Sequence, residues 1–160
     1  MARTMLILAL CVLPALVSAS RPMAKPFVLE GHVYCDTCRA GYETSATTPI
    51  AGAMVKLECK DRKTQELLYS IGGTTDSKGK YEIKVREDHG SQLCDVMLVS
   101  SPQSNCASVD SGRDRSRVIL TGNNGISSYK RFANAMGFLM DEPLSGCKKL
   151  LQQYEQESED

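Results

Sequence analysis

Reactive motifs are scarce in this 160-residue sequence. It has no tryptophan, three phenylalanines and only two histidines, His32 and His89. It contains no GxSxG, no HExxH and no glycine-rich phosphate-binding loop, so the signatures of serine hydrolases, zinc peptidases and nucleotide-binding enzymes are missing. Because catalysis needs reactive groups that converge, the sequence predicts a protein that is not an enzyme and that uses no cofactor.

The sequence also lacks a glycosylation acceptor. N-linked glycans require Asn-x-Ser/Thr, and none of the four asparagines, Asn105, Asn123, Asn124 and Asn134, opens such a triplet. We therefore expect no N-glycan on the chain.

No apolar run is long enough to span a bilayer. The longest extends from Met5 to Val17, whereas a membrane helix needs about 20 residues. Arg3 precedes the run, and the small residues "VSA" close it just before Ser20. This order of charged, apolar and small residues is typical of a secretory signal peptide. We predict a signal peptide over residues 1–19, followed by a secreted domain at 20–160 with no membrane span.

Neither sign of charge dominates the predicted domain. Cleavage after residue 19 removes Arg3 and no acid, which leaves 18 basic and 19 acidic side chains and a net charge of −1. Proteins that bind nucleic acid usually present a strongly basic face. A nucleic-acid partner is therefore not expected.

Cysteines, in contrast, are plentiful. Cys11 lies in the predicted signal peptide, and six others remain in the domain: Cys35, Cys38, Cys59, Cys94, Cys106 and Cys147. An even number in an oxidising compartment predicts three disulfides, with 15 pairings open from the spacing alone.

The stretch "EGHVYCDTCRAG" admits other interpretations. His32, Cys35 and Cys38 could form half of a zinc site, but the remaining cysteines are solitary and the only other histidine is His89, so a second closely spaced ligand pair is missing. A redox Cys-x-x-Cys normally opens a helix, whereas this one continues into "AGYETSATTP". We favour two anchors for two distant disulfide partners and expect no metal.

Alternating apolar residues predict β-strands. In "AMVKLEC" Ala53, Val55, Leu57 and Cys59 share one face, and in "KYEIKVRE" Tyr81, Ile83 and Val85 do the same, as in half-buried strands. Further strands are predicted at "FVLEGHVY" (with Gly31 as a bulge), "LLYSIGG", "RVILT" and "LCDVMLVS", the last apolar on both faces. In "TTDSKGKY", Asp76 and Gly79 predict a hairpin turn.

The strand pattern defines the expected fold. Short strands separated by turn signals indicate an all-β protein, a compact antiparallel barrel or sandwich of about seven strands. A short helix is predicted only at the C-terminus, where Leu144, Cys147, Leu150, Leu151 and Tyr154 have helical spacing. A flexible acidic tail is expected from about residue 155.

One basic segment is a candidate binding element. "GRDRSR" would place Arg113, Arg115 and Arg117 on one side of an extended segment, where they could bind an acidic polymer such as pectin. Asp110 and Asp114 dilute this charge, and a solvated, partly self-paired loop is the alternative interpretation.

The residues from Glu30 to Arg39 resemble the signature of the pollen Ole e I family of secreted plant proteins: a polar residue, Gly, any residue, Val-Tyr-Cys-Asp, any residue, Cys-Arg. Further blocks in the same order look like family segments: "IAGAMVKLEC", "TTDSKGKYEI", "LCDVMLVSSPQSNC", "RVILTGNNGIS", "RFANAMGF" and "EPLSGCKKLL". The resemblance implies disulfides Cys35–Cys106, Cys38–Cys147 and Cys59–Cys94, and it brings no catalytic residues.

The resemblance also implies a role in pollen hydration, germination or tube growth. Two partner classes are expected: an extracellular protein such as a receptor-kinase ectodomain, or a cell-wall polysaccharide. For the first, residues 42–48 and 108–116 are candidate contact loops because they are polar and rich in turns. For the second, Arg113, Arg115 and Arg117 would act with Lys130 and Arg131.

Overall fold

The computed structural model describes residues 25–157. The predicted signal peptide lies outside the described residues, as do the last three residues of the predicted tail. The strands are β1 (Phe27–Asp36), β2 (Thr48–Pro49), β3 (Met54–Asp61), β4 (Leu67–Thr74), β5 (Lys80–Val85), β6 (Gln92–Ser100), β7 (Ser108–Val109), β8 (Arg115–Val118), β9 (Lys130–Phe132) and β10 (Met136–Leu139), and the helix is α1 (Cys147–Glu157).

Two sheets enclose the core, and the all-β prediction is confirmed. The first sheet is built on β1, whose neighbours are β2, β5, β9 and β10, with β7 beyond β10. The second has the order β4-β3-β6-β8 and is antiparallel throughout. Seven of the ten strands in the described part of the chain have four or more residues, in line with the expected number.

The first sheet departs from a purely antiparallel arrangement at the centre. Strand β1 pairs in parallel with β9 along residues 28–30 and with β10 along residues 33–36. On its other side, β5 pairs with residues 27–32 in an unbroken antiparallel register. Residues 31–32 therefore face a gap between β9 and β10.

The predicted bulge at Gly31 is wrong. Gly31 stands opposite Tyr81 in the continuous β1–β5 register. A Cβ atom at this position would lie 2.2 Å from the Tyr81 hydroxyl oxygen. The glycine is required because the tyrosine ring occupies the space of a side chain.

The predicted inward faces of β3 and β5 form the core. Val55, Leu57, Tyr81, Ile83 and Val85 are all buried. They pack between the sheets with other buried apolar side chains: Phe27, Leu29, Val33, Ile50, Val96, Leu120, Met136 and Phe138.

Strand β6 is less buried than its sequence suggested. Cys94 and Val96 point into the core, but Val99 is 50% exposed. The prediction of a strand apolar on both faces because it lies in the middle of the core is therefore wrong. Only one face of the second sheet packs against the first, so alternate residues of β6 face outward.

The C-terminal helix begins at Cys147 and continues to Glu157, so the chain is still helical where the tail was expected to start. Within residues 25–157, no helix has both the length and the apolar character that crossing a membrane requires.

Candidate functional site

Three disulfides fix the ends of the sheets. Cys35 is bonded to Cys106, Cys38 to Cys147 and Cys59 to Cys94, with Cα–Cα distances of 6.1, 5.2 and 4.0 Å. These are the pairs that the family resemblance implied. The two cysteines of the Cys-x-x-Cys segment thus bind different partners, 71 and 109 positions away. Their sulfurs are bonded to sulfur, so they are not free thiolates for zinc.

Asp36 shapes the turn that separates these two cysteines. Its carboxylate accepts hydrogen bonds from the backbone N–H of Cys38 (3.2 Å) and of Gly41 (2.8 Å). Arg39 follows with a φ of 53° and donates to the carbonyl of Met140 at 2.6 Å. The motif gave no role to Asp36, although an aspartate that ends a strand is a common turn former.

The two predicted contact loops meet at this end of the molecule. The Arg113 Nε atom donates to the carbonyl of Gly41 at 2.7 Å, which joins the loop before β8 to the loop after β1. The hydroxyl of Tyr154 in α1 accepts from the N–H of Ser45 at 3.1 Å, and its ring meets Tyr42 edge-on at 6.0 Å. We call residues 36–48, 105–114 and 140–154 the stapled end, because Cys35–Cys106 and Cys38–Cys147 hold it together.

The stapled end mixes apolar and charged groups. Tyr42, Val109 and Leu144 are exposed, Val109 by 54%. Charged side chains lie among them: Arg39, Glu43, Asp110, Arg113 and Asp141. Burial raises the pKa of the nearby Tyr34 hydroxyl, opposed by the charge of Arg113.

The predicted row of three arginines is divided. Strand β8 begins only at Arg115, and Arg113 lies in the preceding turn with its side chain directed at Gly41. The prediction that all three arginines share one side of an extended segment is therefore wrong. Arg115 and Arg117 are two positions apart and both point to the exposed outer face of the second sheet, whereas Arg113 lies outside this face.

On that outer face every arginine has an acidic partner. Arg117 binds both carboxylate oxygens of Asp95, at 2.6 and 3.2 Å, and Arg115 pairs with Asp114 at 3.1 Å. On β3, separated from β8 by β6, the ammonium of Lys56 lies 2.6 Å from the Glu58 carboxylate. Its hydrogen bond is the main reason that the pKa of Glu58 is lowered. The face carries basic groups, but their charge is largely neutralised.

Arg131 does not belong to a polysaccharide-binding surface, contrary to the expectation. It is 95% buried, and its guanidinium donates to the carbonyls of Ser128, Lys130, Ile119 and Thr121. The carbonyls of Ile119 and Thr121 lie just beyond β8, which ends at Val118 rather than at residue 121 as predicted. Its neighbour Lys130 is exposed and pairs with Glu30.

His89, predicted in an exposed turn, is also buried. Only 3% of its surface is accessible, its ring lies 4.6 Å from that of Tyr69, and its Nδ1 atom lies 3.0 Å from Gln92 Oε1. It stands beside Cys59 and Cys94, but the sulfurs of these two are bonded to each other. The backbone N–H of His89 donates to the carbonyl of Leu120 at 2.7 Å, which ties this turn to the chain after β8.

A cavity of about 500 Å³ lies over the gap beside residues 31–32 of β1. It is lined by Glu30, His32, Lys80, Glu82 and Phe132, the last 71% exposed. The sequence could not indicate this cavity, because it lies where the parallel pairing partner of β1 changes from β9 to β10. It offers hydrogen-bonding groups of both charges and two aromatic rings, those of Tyr81 and Phe132.

Taken together, the fold and the stapled end define a small disulfide-stapled β-domain that presents loops from a rigid scaffold. The family model described as "Pollen protein Ole e 1 like" matches residues 25–155. The chain belongs to this pollen Ole e 1-like family.

Relatives match over almost the whole chain. Pollen-specific protein C13 of Zea mays is 45% identical over 154 residues, covering 96% of this chain and 91% of that protein. Protein DOWNSTREAM OF FLC of Arabidopsis thaliana is 48% identical, with coverages of 93% and 90%. Anther-specific protein LAT52 of Solanum lycopersicum is 40% identical, with 94% of each chain covered.

A solved structure shows the same fold. The major plantain pollen allergen Pla l 1 superposes with a TM-score of 0.69 at 32% identity, covering 76% of this chain and 99% of that one.

Proposed function

We propose that this chain is a secreted, non-enzymatic plant protein that binds an extracellular protein, such as a receptor-kinase ectodomain, through its stapled end during pollen development, hydration or tube growth. The observation that carries the proposal is that the loop after β1 is joined to the loop before β8 by Cys35–Cys106 and by the bond from Arg113 to Gly41, and to α1 by Cys38–Cys147. A surface held in place before binding loses little conformational entropy on association.

The relatives support the setting of this function. The names of the Zea mays and tomato proteins refer to pollen and anther, and the structural neighbour is a pollen allergen. None of these names is that of an enzyme. Six cysteines joined in three disulfides suit an oxidising, extracellular compartment.

The test compares two substitutions with the same exposure at different places. Val109→Asp changes an apolar residue of the stapled end that is 54% exposed, and Val99→Asp changes one of the second sheet that is 50% exposed. Binding to a panel of pollen receptor-kinase ectodomains is measured by surface plasmon resonance. We expect Val109→Asp to weaken binding at least tenfold, because a charge placed in an apolar contact is desolvated without a partner. Val99→Asp should leave it unchanged.

Two results would contradict the proposal. One is equal loss of binding by both variants, which would place the contact outside the stapled end. The other is the failure of every ectodomain to bind the unaltered protein at concentrations up to about 100 μM, since specific extracellular recognition is normally tighter than that.

The second candidate partner is an acidic wall polysaccharide. The supporting observation is that Lys56 and Lys60 of β3 and Arg115 and Arg117 of β8 lie on one face, on the two strands that flank β6. Binding to pectin should then fall steeply between 50 and 200 mM salt, as expected for screened charges on the scale of about 10 Å. It should also be lost in the Arg115→Ala/Arg117→Ala variant. A protein contact with an apolar centre would resist the same change of salt.

A further inference from the structure

The loop between β8 and β9 is held at its base and open at its tip. At the base, the Asp88 carboxylate accepts from the Thr121 hydroxyl and from the N–H of Gly122, both at 2.9 Å. At the tip, residues 123–127 are all exposed, and in the described part of the chain no backbone-to-backbone hydrogen bond reaches them. Water can therefore reach the tip, and its backbone can rotate without breaking a strand ladder.

The tip contains an asparagine followed by a glycine, Asn124 and Gly125. The N–H of Ile126 donates to the Oδ1 atom of Asn124 at 3.1 Å, which folds the side-chain amide over the peptide that follows it. The N–H of Gly125 has no hydrogen-bond partner among the described residues. Gly125 has a φ of 78°, and a Cβ placed on it would meet nothing within 4 Å. The Gly125 nitrogen is therefore unpaired and sterically unshielded.

We propose that Asn124 is a self-modification site, at which the chain deamidates through a succinimide. The Gly125 nitrogen loses its proton to hydroxide and attacks Cγ of Asn124, so that a new carbon–nitrogen bond closes a five-membered ring. The bond from Cγ to the side-chain nitrogen then breaks, and this nitrogen leaves as ammonia with a proton from water, which restores the hydroxide. Water opens the ring at either carbonyl and leaves aspartate or isoaspartate at position 124.

The loop supplies two requirements of this reaction. Negative charge develops on Oδ1 of Asn124 during the attack, and the N–H of Ile126 is placed to stabilise it. Ring closure also requires the backbone at Gly125 to rotate toward the side chain. A glycine outside any strand ladder can make this rotation at low cost.

The other three asparagines lack these conditions. After Asn105, the N–H of Cys106 is bonded to the carbonyl of Gln103 at 3.0 Å, and Cys106 is held by its disulfide. Asn123 and Asn134 are followed by asparagine and alanine, whose Cβ atoms shield the attacking nitrogen. We therefore expect the reaction at Asn124 alone.

The modification adds one negative charge, since a carboxyl group is ionised at neutral pH. The charge lies far along β1 from the stapled end. The Tyr129 carbonyl, at the end of the loop, accepts from the N–H of Val28 near the start of β1, whereas Asp36 at the end of β1 belongs to the stapled end. The inference therefore goes beyond the proposed function and does not depend on it. Because ammonia is lost, the modified fraction can only increase with the age of the protein.

The experiment incubates the oxidised, secreted protein in warm buffer at neutral and at mildly alkaline pH, and follows it by anion-exchange chromatography. We expect a more acidic species to accumulate in the folded protein, at a rate similar to that in a synthetic peptide of residues 120–128. It should form faster at the higher pH, because hydroxide removes the Gly125 proton. Asn124→Gln should lose this species, since the longer side chain closes its ring slowly. Asn123→Gln, the matched change at the exposed neighbour, should behave like the unaltered protein.

Peptide mapping by mass spectrometry locates the change. The mass gain from replacing the amide nitrogen by oxygen should fall on Asn124, and hydroxylamine, which reacts with the succinimide, should cleave the chain between Asn124 and Gly125. The proposal is overturned if the acidic species forms in the peptide and in the denatured protein but not in the folded protein. It is equally overturned if Asn124→Gln forms the species at the normal rate or if the mass gain lies at another asparagine.

Discussion

The pairing of Gly31 with Tyr81 shows how a single missing side chain can set the packing of a strand. Tyr81 is buried, and its hydroxyl has no hydrogen-bond partner among the described residues. Burial raises the pKa of this hydroxyl far above its usual value, so it is neutral at every physiological pH. The ring is retained in the core for its apolar contacts, and Gly31 provides the room.

We predict that Gly31→Ala destabilises the domain by about 1–3 kcal/mol, as for an overpacked core. The direction of the change in stability is informative, because replacing a glycine by alanine within a strand normally stabilises the protein. Gly112→Ala is the control, since a Cβ there meets nothing within 4 Å, and it should change the free energy of unfolding little. Urea denaturation measures both. A stabilised Gly31→Ala variant would show that the Tyr81 ring moves away at no cost.

Arg131 illustrates a residue whose type misled the sequence interpretation. A cation next to Lys130 was expected at the surface, but its guanidinium donates to four backbone carbonyls and lies 4.9 Å from the centre of the Phe27 ring. Charge and sequence position do not distinguish a buried arginine from an exposed one. Only the arrangement of the surrounding carbonyls does.

We expect Arg131→Lys to cost about 2–4 kcal/mol, because lysine cannot reproduce the planar fork and leaves buried carbonyls unpaired. Lys130→Arg is the matched change at the exposed neighbour and should have little effect on unfolding by urea. Equal stabilities of the two variants would mean that the positive charge alone matters at position 131.

At the scale of secondary structure, alternation predicted the long strands well. The inward residues of β3 and β5 were assigned correctly because each strand has one buried face and one exposed face. Such a strand alternates apolar and polar residues along the sequence. Strands β9 and β10 were missed as elements. They have three and four residues and pair in parallel with β1, so their formation depends on a distant strand and not on a local pattern.

The candidate site was predictable only in part. The two loops were selected for their polar, turn-rich sequences, but their contact requires the bond from Arg113 to Gly41 between residues 72 positions apart. The helix contributes Tyr154, which was recognised only as a position of helical spacing. Local sequence does not predict such long-range contacts. The two loops could therefore be selected as candidates, but their contact with each other could not be predicted.

The turn that connects β4 to β5 gives a prediction for pH. It is not the hairpin that was expected, because the two strands lie in different sheets and do not pair. The Asp76 carboxylate accepts from the N–H of Lys80 and of Lys78, at 2.9 and 2.8 Å, and these bonds lower its pKa. A carboxyl whose pKa is lower in the folded state stabilises the fold above its unfolded pKa, and this contribution is lost as the pH falls through the folded value. Asp76→Asn should therefore lower the Tm at pH 7.

The measurement is the Tm of both proteins from pH 7 to about pH 2, across the range in which a lowered carboxyl pKa titrates. The difference between them should shrink as the pH falls below about 4 and vanish at the acidic end. A difference that stays constant over this range would show that the Asp76 charge has no part in holding the turn.

The helix offers a second prediction at this scale. An isolated helix of 11 residues is marginal in water, and the Cys38–Cys147 disulfide anchors α1 by its first residue. In Cys38→Ala/Cys147→Ala we expect the amides of α1 to lose hydrogen-exchange protection while those of β3 and β6 retain it. Cys59→Ala/Cys94→Ala is the control, and there the loss should fall on β3 and β6. Protection of α1 that survives the first pair of changes would assign its docking to Tyr154 and the loop it contacts.

At the scale of the whole molecule, the disulfides are distributed unevenly. Two of them secure the stapled end, and the third joins β3 to β6 on the second sheet. The chain-entropy model assigns about 4–5 kcal/mol to each as an upper figure. A domain of this size already buries a substantial core, so the two bridges at one end act chiefly to keep its loops in a single arrangement.

The oxidation state and the start of the mature chain can be tested together by the intact mass of the protein recovered from the culture medium of a plant expression host. We predict a chain that begins at Ser20 and is about 6 daltons lighter than its fully reduced form, because each disulfide removes two hydrogens. Iodoacetamide should add nothing to the native protein, since no thiolate is free, and it should modify all six remaining cysteines after reduction. A mass that still includes Cys11 would contradict the predicted signal peptide. Alkylation without reduction would instead contradict the closed disulfides, and with them the rigid stapled end on which the proposed partner binding rests.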